Sequence, residues 1–160
     1  MKRILIMSDN HRQLGNVQEA IEREQPIDLL IHLGDVEGTE DFIRETAGCP
    51  CEIVSGNNDF FSKLPREKEI EIDGLYVLLT HGHSYGVSMG SEYIMQEARD
   101  SGFDIVMYGH THKPCVEEED GVIGINPGSI CYPRQENRRP SYIMMETDEE
   151  GNAEFDIRYL

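Results

Sequence analysis

The sequence has no tryptophan and little positive charge: 14 Lys and Arg residues stand against 31 Asp and Glu residues, a formal net charge of −17. Such an excess repels polyanions and leaves no broad basic face for a nucleic-acid backbone. We therefore expect neither long nucleic acids nor membranes as partners. Long apolar runs are also missing. The run ILIM near the N-terminus is too short for a signal-peptide core or a membrane span, so we expect a cytoplasmic protein.

Cysteine is scarce, and its spacing excludes the usual sulfur motifs. The four cysteines form neither a Cys-x-x-Cys pair nor a zinc-knuckle pattern. We interpret them as reduced packing residues of a cytosolic protein. With 160 residues and no linker, internal repeat or low-complexity segment, the chain is predicted to form one domain over residues 1–160.

The first third of the chain alternates strand-like and helix-like segments. Residues 3–8, 28–32 and 51–55 are short apolar runs, whereas residues 13–24 and 39–46 are predicted helices. This order indicates parallel βαβ units with right-handed crossovers.

The remaining chain contains more antiparallel signals. Two hairpins with Asp-Gly turns, over residues 69–81 and 115–126, flank a predicted helix over 89–100 and a strand over 103–109. A last antiparallel strand pair occupies residues 141–160. A parallel start and an antiparallel finish predict an α/β fold with two sheets packed face to face and helices outside.

Polar residues follow the predicted strands in five separate segments. Ligands of open α/β sheets collect at the carboxyl ends of strands, so we expect these residues to meet. Their carboxylate, imidazole and amide groups, without thiolate, suit manganese, iron, zinc or nickel. In extended Asp-x-His and His-x-His segments, both side chains point to the same side. The candidate metal ligands are Asp9, His11, Asp35, Asn57, His81, His110 and His112.

The order Asp-x-His, Gly-Asp, Gly-Asn-x-Asp, His and Gly-His-x-His, spread over residues 4–129, resembles the calcineurin-like metallophosphoesterases. The short length and the segments THGH (80–83) and NPGS (126–129) resemble their small prokaryotic phosphodiesterase branch. The resemblance implies a four-layer α/β/β/α sandwich of two stacked mixed sheets flanked by helices.

The resemblance also implies a binuclear metal centre. One ion would be held by Asp9, His11, Asp35 and His112, and the second by Asp35, Asn57, His81 and His110. We expect two divalent ions, Mn²⁺ first, with Fe, Zn²⁺ or Ni²⁺ as alternatives. The expected reaction is hydrolysis of a small phosphoester, most simply a phosphodiester, by in-line attack of a hydroxide that bridges the two ions.

One position departs from the family pattern. Many relatives have a histidine after Gly-Asn that is thought to protonate the leaving oxygen, but this chain has Asn58. Either His83 or a metal-bound water takes that role, or the enzyme acts best on good leaving groups. We expect Asn57, Asp59 and His83 to assist catalysis, with Asp59 fixing His11 or His81 by a hydrogen bond.

Two alternatives stay open: a phosphomonoesterase using the same site, and a non-catalytic interaction scaffold like the retromer subunit that resembles this branch. An exposed hairpin or edge strand would allow a homo-oligomer, although no motif demands one. Outside the ligand set, we interpret His32 as a core residue. We expect solvent exposure for Arg134 and Lys113, although Arg134 is also a candidate phosphate contact.

Overall fold

The computed structural model describes residues 1–160 and contains three helices and ten strands. The helices are α1 (Gly15–Glu24), α2 (Glu40–Ala47) and α3 (Glu92–Asp100). The strands are β1 (Lys2–Met7), β2 (Leu29–His32), β3 (Cys51–Ile53), β4 (Glu67–Ile72), β5 (Leu75–Thr80), β6 (Ile105–Met107), β7 (Pro114–Glu119), β8 (Val122–Pro127), β9 (Ser141–Thr147) and β10 (Ala153–Tyr159). None of the helices has the length and apolar character that a bilayer span requires.

The strands form two five-stranded sheets, with the orders β10-β9-β1-β2-β3 and β4-β5-β6-β8-β7. Each sheet is mixed. β1, β2 and β3 are parallel in the first sheet, as are β5, β6 and β8 in the second, and the other pairings are antiparallel. Parallel and antiparallel pairing are therefore not divided between the sheets. The last strand pair, β9 and β10, joins the first sheet beside β1. Its apolar side chains extend the two hydrophobic clusters to which β1 contributes.

Alternate side chains of β1 enter different cores, as the period of a strand requires. Ile4 and Ile6 lie in the apolar cluster between the two sheets, whereas Leu5 and Met7 lie in the cluster beneath α1 and α2. A third cluster packs α3 against the outer face of the second sheet. The predicted four-layer α/β/β/α sandwich of two stacked mixed sheets is confirmed.

The start of α3 differs from the prediction. The helix begins at Glu92 rather than at residue 89, because Val87–Met89 forms a 3₁₀ turn. Gly90 then adopts φ 134°, a conformation outside the helical region that glycine tolerates best.

A partly buried ionic cluster, here called the Glu24 network, ties α1 to the first sheet. It comprises Glu24, Tyr142, Arg3 and Arg158. The hydroxyl of the fully buried Tyr142 donates to Glu24 Oε1 at 2.7 Å, and the guanidinium groups of Arg3 and Arg158 donate to Oε2. Burial alone would raise the pKa of Glu24, but these donors and charges lower it.

Candidate metal centre

The carboxyl ends of the parallel strands in both sheets meet at one edge of the sandwich. β1, β2 and β3 lead into this edge from the first sheet, and β5 and β6 from the second. All seven predicted ligands come together there: Asp9, His11, Asp35, Asn57, His81, His110 and His112.

The two aspartates lie at the centre of this cluster. Asp9 Oδ1 is 3.6, 3.7 and 3.3 Å from the Nε2 atoms of His11, His81 and His112. Asp35 Oδ2 is 3.6 and 3.4 Å from the Nε2 atoms of His11 and His81. Ligand atoms that each bind one ion at about 2.1 Å are themselves separated by about 3–3.5 Å. The spacing therefore suits groups that share a cation.

His110 and Asn57 complete the side of the cluster that faces the second sheet. His110 Nδ1 is 3.1 Å from Asn57 Oδ1 and 3.3 Å from His81 Nε2. The candidate ligand atoms form two overlapping groups, each with all members within 4.8 Å of one another: Asp9 with His11 and His112, and Asp9 with Asp35 and His81. Asp9 belongs to both groups.

Asp9 has one unsatisfied oxygen. The side chain is fully buried, and its Oδ2 accepts hydrogen bonds from Ser8 Oγ at 2.6 Å and the His110 backbone N–H at 3.1 Å. Its Oδ1 is buried without a hydrogen-bond partner. A buried carboxylate oxygen without a hydrogen-bond donor is unfavourable unless a cation faces it. This oxygen and the histidines around it fit a divalent metal ion.

The same groups perturb each other's protonation. Burial opposes ionisation of Asp9, yet the imidazoles of His11 and His112 and the charge on His81 hold its pKa well below 3.8. Burial opposes protonation of His81, but Asp35 and Asp9 raise its pKa to about 9. The cluster therefore attracts positive charge, which protons supply in the absence of metal and a bound cation would replace.

Five of the seven residues have left-handed backbone conformations, which are uncommon outside glycine and cluster at functional sites. Their φ angles are 58° for Asp9, 45° for His11, 59° for Asp35, 71° for His110 and 59° for His112. The expected extended conformation of the Asp-x-His and His-x-His segments was therefore wrong. The strands end in sharp turns that direct these side chains towards one another.

The glycines before the ligands serve mainly to leave space. Gly34 has φ 109°, whereas Gly56 and Gly109 do not need a left-handed backbone. A Cβ at Gly56 would lie 2.2 Å from Asp35 Oδ1, and one at Gly109 would lie 2.2 Å from Ser8 Oγ. The turns can therefore approach each other only where side chains are absent.

Three imidazoles are oriented through the ring nitrogen that points away from the aspartates. Two of them donate Nδ1–H to a backbone carbonyl, which leaves Nε2 free as a metal ligand. The partners are Leu33 O for His81 and Tyr132 O for His112, both at 2.7 Å, and Glu37 Oε2 for His11, at 3.1 Å.

The expected hydrogen bond from Asp59 to His11 or His81 was wrong. The Asp59 carboxylate instead accepts the backbone N–H groups of Asp35, Gly56 and Glu37 at 2.7, 2.7 and 2.6 Å. Asp59 lies in the turn after β3 and faces the backbone of the turn after β2, so it joins the two turns.

Glu37 is the residue that sequence reasoning missed. Its carboxylate holds His11, in the role expected of Asp59. The spacing Asp35-x-Glu37, which repeats Asp9-x-His11, was an available signal.

Asn58 contacts a ligand directly. Its backbone N–H donates to Asp35 Oδ1 at 2.9 Å and its side-chain amide to Oδ2 at 3.0 Å. His83 lies nearby, with its ring centroid 5.5 Å from that of His81 and 6.1 Å from that of His110. Its Nδ1 is buried without a partner, and burial together with the charge on His81 lowers its pKa.

His32 is a core residue, as interpreted. It is fully buried, its Nδ1 accepts the Gly34 N–H at 3.1 Å, and burial lowers its pKa to about 3, so it stays neutral. Arg134 and Lys113 are both exposed, as expected. Arg134 also lines a cleft of about 800 Å³ over the cluster, whereas Lys113 does not.

Comparison with known proteins agrees with this geometry. Residues 1–150 match the profile of the Calcineurin-like phosphoesterase superfamily domain. The probable metallophosphoesterase YsnB of Bacillus subtilis is 33% identical over 149 residues, which cover 92% of this chain and 86% of the relative. Phosphodiesterase MJ0936 of Methanocaldococcus jannaschii is 34% identical over 148 residues, which cover 81% of this chain and 84% of the relative.

Solved structures show the same architecture. A predicted phosphoesterase of Streptococcus pneumoniae has a TM-score of 0.80 at 26% identity, with 98% of each chain covered. Wild-type Vps29 of Entamoeba histolytica, in complex with Zn²⁺, has a TM-score of 0.79 at 24% identity, again with 98% of each chain covered, and this likeness concerns the fold alone.

Proposed function

The chain belongs to the calcineurin-like phosphoesterase superfamily, and on this basis we propose that it is a phosphodiesterase working through two divalent metal ions. The observation that carries the proposal is the buried Asp9 Oδ1, which has no hydrogen-bond partner and faces three histidine nitrogens. We propose a single catalytic domain over residues 1–160, acting in the cytoplasm on a small phosphoester.

The proposed ligand sets share Asp35. One ion would take Asp9, His11, Asp35 and His112, and the other Asp35, Asn57, His81 and His110. When bound, two such ions would lower the pKa of a water between them and neutralise charge on the phosphoryl oxygens during in-line displacement. Manganese is the first choice, and iron, zinc and nickel suit the same oxygen and nitrogen donors.

The remaining residues have positioning roles in this proposal. Asn58 holds both oxygens of Asp35, and Asp59 joins the turns that carry Asp35 and Asn57. Neither residue is placed to donate a proton to the leaving group. We propose His83 for that role because its ring lies beside His81 and His110 at the edge of the cluster. Since its pKa is lowered, the proton that it donates is most available at acidic pH, and its contribution should grow as the pH falls.

The first experiment measures hydrolysis of bis(p-nitrophenyl) phosphate by purified protein before and after metal removal with a chelator. We expect activity to fall to background and to return when Mn²⁺ is added. Asp35→Asn and His81→Ala should each remove most of the rate. His32→Gln is a control for a buried histidine outside the ligand set, provided that the variant folds. Full activity of thoroughly chelated wild type would refute the proposal.

A second experiment tests His83. His83→Gln should slow hydrolysis of a phenyl phosphodiester more than that of a p-nitrophenyl phosphodiester, because only the poorer leaving group depends on protonation. Equal losses on both substrates would assign His83 a structural role.

The likeness to Vps29 favours the interaction scaffold as the second candidate, on the fold alone. A scaffold does not need the complete donor set that this chain retains. Stoichiometric metal binding without turnover of any phosphoester would support the scaffold over the enzyme. Paired mono- and diester substrates with the same leaving group would decide between the two kinds of phosphoesterase.

A further inference from the structure

The cleft over the metal centre has a second wall that the ligand set does not explain. The connection between β8 and β9 supplies this wall, including Tyr132, Arg134 and Arg138. At about 800 Å³, the cleft is far larger than one phosphate group. The substrate therefore has room to contact this connection as well as the metal centre.

The first half of the connection is anchored to the metal centre. The His112 ring donates Nδ1–H to Tyr132 O at 2.7 Å, and the Arg134 backbone N–H donates to His112 O at 3.0 Å. Ser129 Oγ accepts the backbone N–H of Tyr132 at 2.7 Å and donates to Asp9 O at 2.8 Å. These bonds hold Tyr132 and Arg134 in a defined position relative to the ligands.

The second half of the connection is closed by its own hydrogen bonds. The Arg138 backbone N–H donates to Gln135 O at 3.1 Å, and the Gln135 side chain donates to Arg139 O at 2.6 Å. Arg138 adopts φ 53°, an uncommon conformation for a side chain of this size. The turn therefore presents Arg138 to the cleft from a constrained backbone.

The charges of Arg134 and Arg138 are not compensated within the protein. Neither guanidinium forms an ion pair or a side-chain hydrogen bond, although the chain has 31 acidic residues for 14 basic ones. Arg66 is the one other arginine without such a partner, whereas Arg3, Arg23 and Arg99 each reach a carboxylate. Two free guanidinium groups in one cleft of a strongly acidic protein indicate that the cleft receives an anion.

The scissile phosphodiester does not account for both arginines. Two bound divalent ions would already be balanced by Asp9, Asp35, an attacking hydroxide and a singly charged diester. The two guanidinium groups would then keep their charge unless another anionic group entered the cleft. A phosphate monoester, with a charge of about −2, matches them in charge and in bidentate geometry.

We propose that Arg134 and Arg138 form a subsite for a second phosphate group, so that the preferred substrates are small phosphodiesters that carry a further phosphate. The half-exposed ring of Tyr132, 5.5 Å from the His11 ring, lies in the same wall and offers an apolar surface to the part of the substrate between the two phosphates. This inference rests on the proposed phosphodiesterase function.

The test compares two substrates with the same scissile bond and leaving group: the p-nitrophenyl ester of thymidine 5′-phosphate, with and without a 3′-phosphate. We expect the 3′-phosphate to raise kcat/KM of the wild type about 10- to 100-fold, the effect of a charge-assisted contact. Arg134→Gln and Arg138→Gln should each remove most of this ratio while retaining hydrolysis of the simpler ester. Arg139→Gln is the matched control, because Arg139 stacks on Tyr159 and does not line the cleft.

A ratio near one in the wild type would overturn the subsite. Equal losses on both substrates in the arginine variants would also overturn it, because the arginines would then hold the scissile phosphate. If no diester is hydrolysed, the proposed function fails. The subsite is then tested separately by calorimetric measurement of ligand binding to the same proteins. Thymidine 3′,5′-bisphosphate should bind more tightly than thymidine 5′-phosphate to the wild type and to Arg139→Gln. The two ligands should bind about equally to Arg134→Gln and to Arg138→Gln.

Discussion

The metal centre and the Glu24 network each contain a buried carboxylate among charged groups, but the carboxylates are satisfied in opposite ways. Both oxygens of Glu24 have donors, from Tyr142, Arg3 and Arg158. Asp9 is buried even more completely, yet its Oδ1 has no hydrogen-bond partner. A carboxylate that only stabilises the fold is satisfied by the protein, whereas one that binds a ligand keeps an oxygen for it.

The backbone shows the same contrast. The members of the Glu24 network lie on β1, α1, β9 and β10, in regular structure. The candidate metal ligands lie just beyond strand ends, five of them with positive φ. Each such residue costs about 1–3 kcal/mol, which the packed sandwich beneath must offset. Strained backbone therefore lies where ligands are presented, whereas no member of the Glu24 network has a positive φ.

Asp9→Asn is expected to have the largest effect. The amide carries no charge for the ions, so kcat/KM on bis(p-nitrophenyl) phosphate with saturating Mn²⁺ should fall at least about 1000-fold, or about 4 kcal/mol. We also expect Mn²⁺ to raise the Tm of the wild type but not that of Asp9→Asn, because bound metal stabilises only a folded site. A variant that keeps both properties would show that the unpaired oxygen has no role in metal binding.

Glu24→Gln is expected to lower the stability of the fold while leaving activity nearly unchanged. Removing this charge leaves Arg3 and Arg158 without their buried partner, and we expect the free energy of unfolding to fall by about 2–3 kcal/mol. The rate of diester hydrolysis, and the increase in Tm expected on adding Mn²⁺, should each change less than about twofold. Urea unfolding and the same diesterase assay measure both quantities. Glu22→Gln, on the exposed face of α1, should change stability by less than about 0.5 kcal/mol; an equal loss there would contradict the comparison.

Glu37→Gln tests a residue between the two extremes, because Glu37 supports a ligand without belonging to the set. Loss of its contact with His11 Nδ1 should weaken metal affinity about 10- to 100-fold. Titration of chelated protein with Mn²⁺, followed by activity, should show a higher midpoint and a nearly normal plateau. Glu45→Gln, an exposed change on α2, serves as the control. An unchanged midpoint would remove Glu37 from the site.

The smallest expected effect is a pH dependence of the Glu24 network. The pKa of Glu24 in the folded protein lies below its ordinary value of 4.5. The stabilisation is therefore complete above pH 4.5 and is lost as the pH falls through the lower, folded pKa. The difference in unfolding free energy between wild type and Glu24→Gln, measured in urea with chelator, should stay constant from pH 7 to 6 and shrink towards pH 4. A difference that grows on acidification would contradict the assignment.

Several features were predictable because they depend on local pattern. Apolar periodicity located the strands and helices to within a few residues, and the polar residues after the strands identified the ligand candidates. The role of Asp59 was wrong because a turn can direct a carboxylate to several neighbours, and only packing determines which backbone it reaches. Glu37 was missed because its contact with His11 joins residues 26 positions apart.

The amino-acid sequence alone carried the family signature, the strand order along the chain and the chemical types of the ligands, since all three are properties of short segments. Three other features depend on the tertiary structure and cannot be read from any single segment. Folding joined β9 and β10 to the first sheet, left Asp9 Oδ1 without a partner and turned Arg134 and Arg138 into the cleft. Each of these depends on how separate turns approach one another, and that approach is set by the packing of two sheets rather than by local propensity.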